Sequence, residues 1–144
     1  MSANPIQPGT PVLLRGSFVF AVLSAASGVM LGALSAHLPD RLFAVPGGRA
    51  MLHSAVEIQM WHALGLGLLS LNAARLSPRL IRMACLCMAI GMVLFCVPVT
   101  LLALFDLKLG PVSIGRIAPY GGTMLIIAWC LAAVSALKVR PGFS

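Results

Sequence analysis

Polar and apolar residues alternate in long blocks along this chain. No side chain ionises between Arg15 and His37, and the run Gly16 to Ala36 has the ~20 residues needed to cross a ~30 Å hydrocarbon core. Ala50 to Ala74 is again mostly apolar, but His53, Glu57, Gln59 and His62 interrupt it and make it the weakest block on hydropathy. Met83 to Phe105 is apolar apart from Thr100, with Pro98 near its end, and Ile117 to Leu137 is uncharged between Arg116 and Lys138. A proline inside a membrane helix is tolerated because neighbouring groups re-satisfy the freed backbone. The pattern therefore predicts four transmembrane helices, over about 16–36, 50–74, 83–105 and 117–137.

The links Leu38 to Arg49, Arg75 to Arg82 and Asp106 to Arg116 are short and rich in Pro, Gly, Ser or charge, as turns require. Short links make successive helices antiparallel neighbours. The expected architecture is an all-α integral membrane protein, a single domain over 15–138 folded as an up-down four-helix bundle. An irregular tail over 1–14, with Pro5, Pro8 and Pro11, precedes it, and a short tail over 139–144 follows. A secretory leader fits the first block poorly. The run exceeds the 7–15 apolar residues of a leader core, and Leu34-Ser35-Ala36 is not small-x-small.

Composition supports a membrane setting: 60% of the 144 residues are apolar and 9% charged, against about 45–50% and about 25% in soluble domains. The mean hydropathy is +1.01. A net charge of +7 would point to nucleic acid in a soluble chain, but here the bases lie in the gaps between apolar blocks, where they set orientation. Arg15, Arg75, Arg79, Arg82, Lys138 and Arg140 fall on one side, and Arg41, Arg49, Lys108 and Arg116 on the other. The richer side is expected in the cytoplasm, so both termini are placed on the cytoplasmic side of the membrane. No nucleic-acid partner is expected.

Helix association in lipid relies on close packing of small residues and a few polar contacts. Ser24, Gly28, Gly32 and Ala36 recur every fourth residue in the first span, and Gly121-Gly122 follows Pro119 at the start of the fourth. Both are candidate packing surfaces. Ionisable groups inside a span cost about 2.5–3.5 kcal/mol at the helix centre for Asp, Lys or Arg, and Glu57 is the one carboxylate in any span. His53, one turn earlier, shares its face. His53 and His62 are nine residues apart and so lie on opposite faces at about 100° per residue. A polar cluster of His37, His53, Glu57, Arg116 and Tyr120 is possible at the outer end of the bundle. The plainer account makes these interfacial residues solvated by headgroups, with Gln59 and His62 as interhelical hydrogen bonders.

His37 and His53 are the one depth-matched pair for a bis-histidine haem. Met83 with Cys87 and Met88 with Met92 are soft pairs of the type Cu(I) prefers, although such residues are also ordinary apolar filler. No metal site is expected, and the sequence requires no cofactor. Cys85, Cys87, Cys96 and Cys130 all avoid the outer loops, which argues against a structural disulfide. The chain has no phosphate-binding loop, no Gly-x-Ser-x-Gly and no His-Glu-x-x-His, so no enzymatic activity is expected.

Three segments, Gly32-Ala33-Leu34-Ser35-Ala36-His37, Val56-Glu57-Ile58-Gln59-Met60-Trp61-His62-Ala63-Leu64 and Ile117-Ala118-Pro119-Tyr120-Gly121-Gly122, carry a resemblance. They are similar to Gly-Ala-x-Gly-Ala-His, Val-x-Tyr-Gln-x-x-His-Ala-Leu and Thr-Pro-x-Gly-Gly of the YgdD- and YwdK-like family of small bacterial inner-membrane proteins of unknown function. The similarity spans roughly 16–137, with departures at Ser35, Ile58 and Ala118. It implies four spans and points to His37, Gln59, His62, Pro119 and Gly121, but implies no activity.

The expectation is a non-enzymatic membrane protein, an accessory or structural component of an assembly with lipid and other membrane proteins or further copies of itself. The alternatives are a binder of a lipid-soluble ligand such as a quinone or haem, and proton or ion translocation through Glu57 in an oligomer.

Overall fold

The computed structural model describes residues 12–138, apart from the side chain of Leu109. Of the expected tails over 1–14 and 139–144, residues 1–11 and 139–144, and Arg140 with them, lie outside the described residues, whereas Val12–Leu14 are helical instead of irregular. Four long helices dominate: α1 (Val12–His37), α2 (Gly48–Leu71), α3 (Pro78–Phe105) and α4 (Ala118–Leu137). Three segments, Val12–His37, Pro78–Phe105 and Ile114–Leu137, are long and apolar enough to cross a membrane.

Two helices begin well before their apolar blocks. α1 includes Val12–Leu14 ahead of Arg15, and α3 begins at Pro78, five residues before Met83. Hydropathy marks where lipid contact begins, whereas a helix continues as long as its backbone hydrogen bonds do. Pro78 suits the first helical position, where its missing N–H would have no intrahelical partner. α3 runs without a break through buried Pro98. α2 ends at Leu71 instead of Ala74 because Asn72 turns back on it, donating from both its backbone N–H and its side-chain Nδ2 to the Leu68 carbonyl.

The α3–α4 link departs from a simple turn. Lys108–Leu109 (β1) and Val112–Ser113 (β2) form a short antiparallel ladder. Gly110 supplies the left-handed φ of +63° at its tip, a conformation that costs glycine little. Asp106 also adopts a positive φ, 45°, as it caps α3, and its carboxylate pairs with Lys108 Nζ at 2.8 Å.

The helices pack in chain order, α1 on α2, α2 on α3 and α3 on α4; α1 also touches α3 lightly, and α4 makes no substantial contact with α1. The row is therefore open along one side. Neighbours run antiparallel, as facing pairs show. Along α1 and α2, Gly32 meets Val56, Gly28 meets Met60 and Gly67 meets Ala21; along α3 and α4, Gly91 meets Leu125 and Ser77 meets Ser135. The main core is built from small or slender side chains such as Ala63, Ala84, Cys85, Met88 and Ala128, with a second cluster of Leu52, Val56 and Ala103 at the other end of α2. Larger apolar residues, among them Leu23, Val29, Leu68 and Ile126, point outward. This inside-out distribution suits lipid, which exerts no hydrophobic pressure to bury them.

The tightest approach lies between α3 and α4. A Cβ at Gly121 would stand 2.5 Å from the backbone N of Phe95 and 2.9 Å from the carbonyl oxygen of Gly91. By contrast, a Cβ at Gly28 would meet the flexible tip of Met60, one at Gly32 would be in ordinary contact with Val56, and one at Gly122 would touch the Phe95 ring at 3.7 Å.

Candidate functional site

The polar chemistry of α2 is distributed around its circumference. On the side towards α1, Gln59 is 8% exposed and its Nε2 donates to the Ser24 carbonyl at 2.8 Å and to Ser27 Oγ at 2.7 Å. Ser27 in turn donates to the Ser24 carbonyl. Within hydrocarbon the unpaired alternative is costly, so such a bond fixes the register of two helices. Gln59 also floors two adjoining clefts of about 190 and 170 Å³ between α1 and α3. Both include Ser27, Cys96 and Val97, and their walls are otherwise largely apolar, with Phe20 and Met92 at one end and Leu101 at the other.

On the side towards α4, half-buried His62 holds its Nδ1 2.7 Å from the Ile58 carbonyl oxygen. In the neutral ring this puts the proton on Nδ1 and leaves Nε2 as the acceptor. The imidazole lies 6.1 Å from the Trp129 ring, tilted at 56°. Gly65 makes room for that indole, since a Cβ there would meet Trp129 at 2.7 Å.

The outward face carries His53 and Glu57, with Nε2 and Oε1 3.9 Å apart and side chains 66% and 59% exposed. This is the one link within the outer polar set among the described residues. His37, Arg116 and Tyr120 are exposed, and no hydrogen bond or ion pair joins them to His53 or Glu57. The structure therefore brings together one pair of the five, and brings Gln59 to Ser24. Among the described residues no three His, Cys, Asp or Glu side chains converge as a metal site would require. Ala36 is exposed, and Ser24, Gly28 and Gly32 line the α1 face against α2.

Arg49, an orientation charge by sequence alone, is the most connected polar side chain of the α1–α2 turn. Its guanidinium donates to the carbonyl oxygens of Ser35, Ala36 and Leu38 and to Asp40 Oδ1, the last at 2.9 Å, while standing 5.1 Å over the Phe43 ring. The last carbonyls of a helix lack intrahelical donors, and a cation there also meets the negative end of the helix dipole. A signal was present in the sequence: an Arg at the edge of the second apolar block, a short turn from the end of the first.

Comparison with known proteins fits this polar inventory into a family. The model of a family described as "Protein of unknown function (DUF423)" matches residues 31–122, which takes in the end of α1, all of α2 and α3, and the opening of α4. The chain belongs to this family. A relative in Bacillus subtilis (strain 168), the UPF0382 membrane protein YwdK, is 32% identical over 129 residues, covering 83% of this chain and 97% of its own. Another, a UPF0382 membrane protein of Staphylococcus epidermidis, is 31% identical over 124 residues, covering 83% of this chain and 96% of its own. No solved structure matches the chain. Family membership carries no activity, and the family segment contains the Arg49 cap, the Gln59 contact and the Gly91–Gly121 approach.

Proposed function

We propose that this chain crosses the membrane four times, with both termini in the cytoplasm, and serves as a non-catalytic component of a membrane assembly. The observation that carries the fourth span is the packing of α2. Despite its polar residues it lies antiparallel against α1, from Ser35–Arg49 at one end to Ala21–Gly67 at the other, and shares its other flank with α3. A helix sandwiched in this way crosses with its neighbours. Orientation follows from the bases. Arg15, Arg75, Arg79, Arg82 and Lys138, with Arg140 following in sequence, belong to one end, against Arg41, Arg49, Lys108 and Arg116 at the other. The excess of Lys and Arg marks the cytoplasmic side.

Single cysteines in a chain otherwise free of them test this with a membrane-impermeant maleimide. Leu42→Cys and Val112→Cys should react in intact cells, and Ala74→Cys, which α2 separates from Leu42, only after permeabilisation. Labelling of Leu42→Cys and Ala74→Cys from the same side would overturn the four-span reading.

The Gln59 clefts favour a second reading, the binding of a lipid-soluble ligand with one hydrogen-bonding group, such as a quinone. Small sites are commonly apolar with a few placed polar groups, and Gln59, Ser24 and Ser27 are such groups here. Mass spectrometry of small molecules retained by the protein, with and without Gln59→Leu, tests it. Identical profiles would overturn this reading.

A further inference from the structure

Exposed residues of α2 fall on one continuous stripe: Ser54, Glu57, Trp61, Leu64, Leu68 and Leu71, separated by alternating steps of three and four, with His53 at its margin. Steps of three and four are the spacing with which two helices pack side by side at a small crossing angle. In a lipid-facing helix the stripe would be apolar throughout. Here its lower part is, with Leu64, Leu68 and Leu71 all at least 60% exposed, but its upper part presents a carboxylate and an imidazole. Glu57 is the tenth of the 24 residues of α2, so it stands roughly 13 Å from the helix start at 1.5 Å per residue. With a ~30 Å hydrocarbon core centred on this helix, whose 24 residues run roughly 36 Å at 1.5 Å per residue, Glu57 lies about 10 Å below the edge of the core. Ionisable groups at such depth face other protein or a water-filled cavity, not lipid, and α1, α3 and α4 all leave this face uncovered.

We infer that the outward stripe of α2 is the contact surface for a second copy of this chain, packed α2 to α2 about an axis along the membrane normal. The inference rests on α2 crossing the membrane. Every copy inserts with the same orientation, so two copies associated by a twofold axis place residues of equal depth opposite one another. The stripe is self-complementary under that operation. Its apolar part meets an apolar part, and its polar part meets a polar part in which each Glu57 has a His53 one turn away on the facing helix. A carboxylate alone would repel its symmetry mate; a carboxylate with an imidazole beside it supplies both partners of a reciprocal pair. Trp61, 71% exposed, stands where the two parts join.

The test is oxidative cross-linking in native membranes of single-cysteine variants made in a chain without Cys85, Cys87, Cys96 and Cys130. Leu64→Cys and Leu68→Cys, both outward-facing and so tolerable to the fold, should give disulfide-linked dimers in several-fold greater yield than Leu23→Cys on α1 or Ile126→Cys on α4. Glu57→Leu in the same background should lower the yield at Leu64→Cys, and Glu57→Gln, which keeps hydrogen bonding, should lower it less. Dimers linked equally well through α1 or α4 would overturn the inference. Cross-linking of the α2 cysteines to a different protein would also overturn it, while leaving the assembly reading standing. A monomer with no partner at any position would overturn both, and maleimide labelling reports separately whether α2 crosses.

Discussion

Substituting Gly121 by alanine should be the most damaging one-carbon change in the fold. The added Cβ would lie 2.5 Å from the Phe95 nitrogen, 2.7 Å from the Leu94 carbonyl carbon and 2.9 Å from the Gly91 oxygen, all backbone atoms that cannot swing aside. Restoring ordinary separations near 3.4 Å requires α3 and α4 to part by about 0.9 Å at this point. A gap of 0.5–1 Å forfeits roughly a quarter to a half of each dispersion contact across it, and the seam carries Gly91, Leu125 and Ala128. Overpacking of this type costs about 1–3 kcal/mol. Taking about 2 kcal/mol, the folded-to-unfolded ratio falls on the order of thirty-fold. Gly122→Ala is the matched control. Its Cβ meets only the Phe95 ring at 3.7 Å, and alanine gains up to about 1 kcal/mol of helix propensity over glycine. Reversible unfolding in mixed detergent micelles, followed by circular dichroism, should show Gly121→Ala strongly destabilised and Gly122→Ala unchanged or improved. A Gly121→Ala protein as stable as the parent would refute the close approach of the two backbones, and a loss confined to Gly122→Ala would put that approach on the wrong glycine.

Replacing Arg49 by lysine retains the charge but loses the planar fork that reaches several acceptors at once; because the pair with Asp40 is largely exposed, the expected loss is about 1 kcal/mol, and thermal unfolding in detergent equal to that of the parent for both Arg49→Lys and Arg49→Ala would remove the cap from the account. Gln59→Leu should cost about 1 kcal/mol by deleting the bonds to Ser24 and Ser27, with Ser27→Ala costing less once Gln59 is absent. A double-mutant cycle in the same unfolding assay showing strict additivity would mean that the two side chains do not interact.

The helices were legible in the sequence where the signal was local. A run of apolar residues between charges is a property of the run itself, so α1, α3 and α4 emerge close to their observed limits, with errors only where a helix continues past its apolar block, as at Val12–Leu14 and Pro78–Arg82. The small residues of α1 and the glycine pair of α4 stood out for the same reason. Their weights did not: the eye-catching Gly28-xxx-Gly32 meets a flexible Met60 and a Val56 in ordinary contact, whereas Gly121 meets backbone. Likewise the outer polar set shared an estimated depth, but depth says nothing about azimuth.

By itself the sequence determined that this chain is built of long apolar helices in a given order, that its polar residues concentrate in α2, and that it resembles a membrane-protein family. Each of these follows from composition within a window or from a linear motif. Tertiary structure decided which faces meet: Gln59 towards Ser24, His62 towards Trp129, His53 and Glu57 towards the outside, Arg49 onto the end of α1, and α4 away from α1. The physical reason is that rotation of one helix about its axis changes every contact it makes without altering its hydropathy. That rotation is set by the shapes of residues dozens of positions apart, such as Gly91 against Gly121 and Gly65 against Trp129.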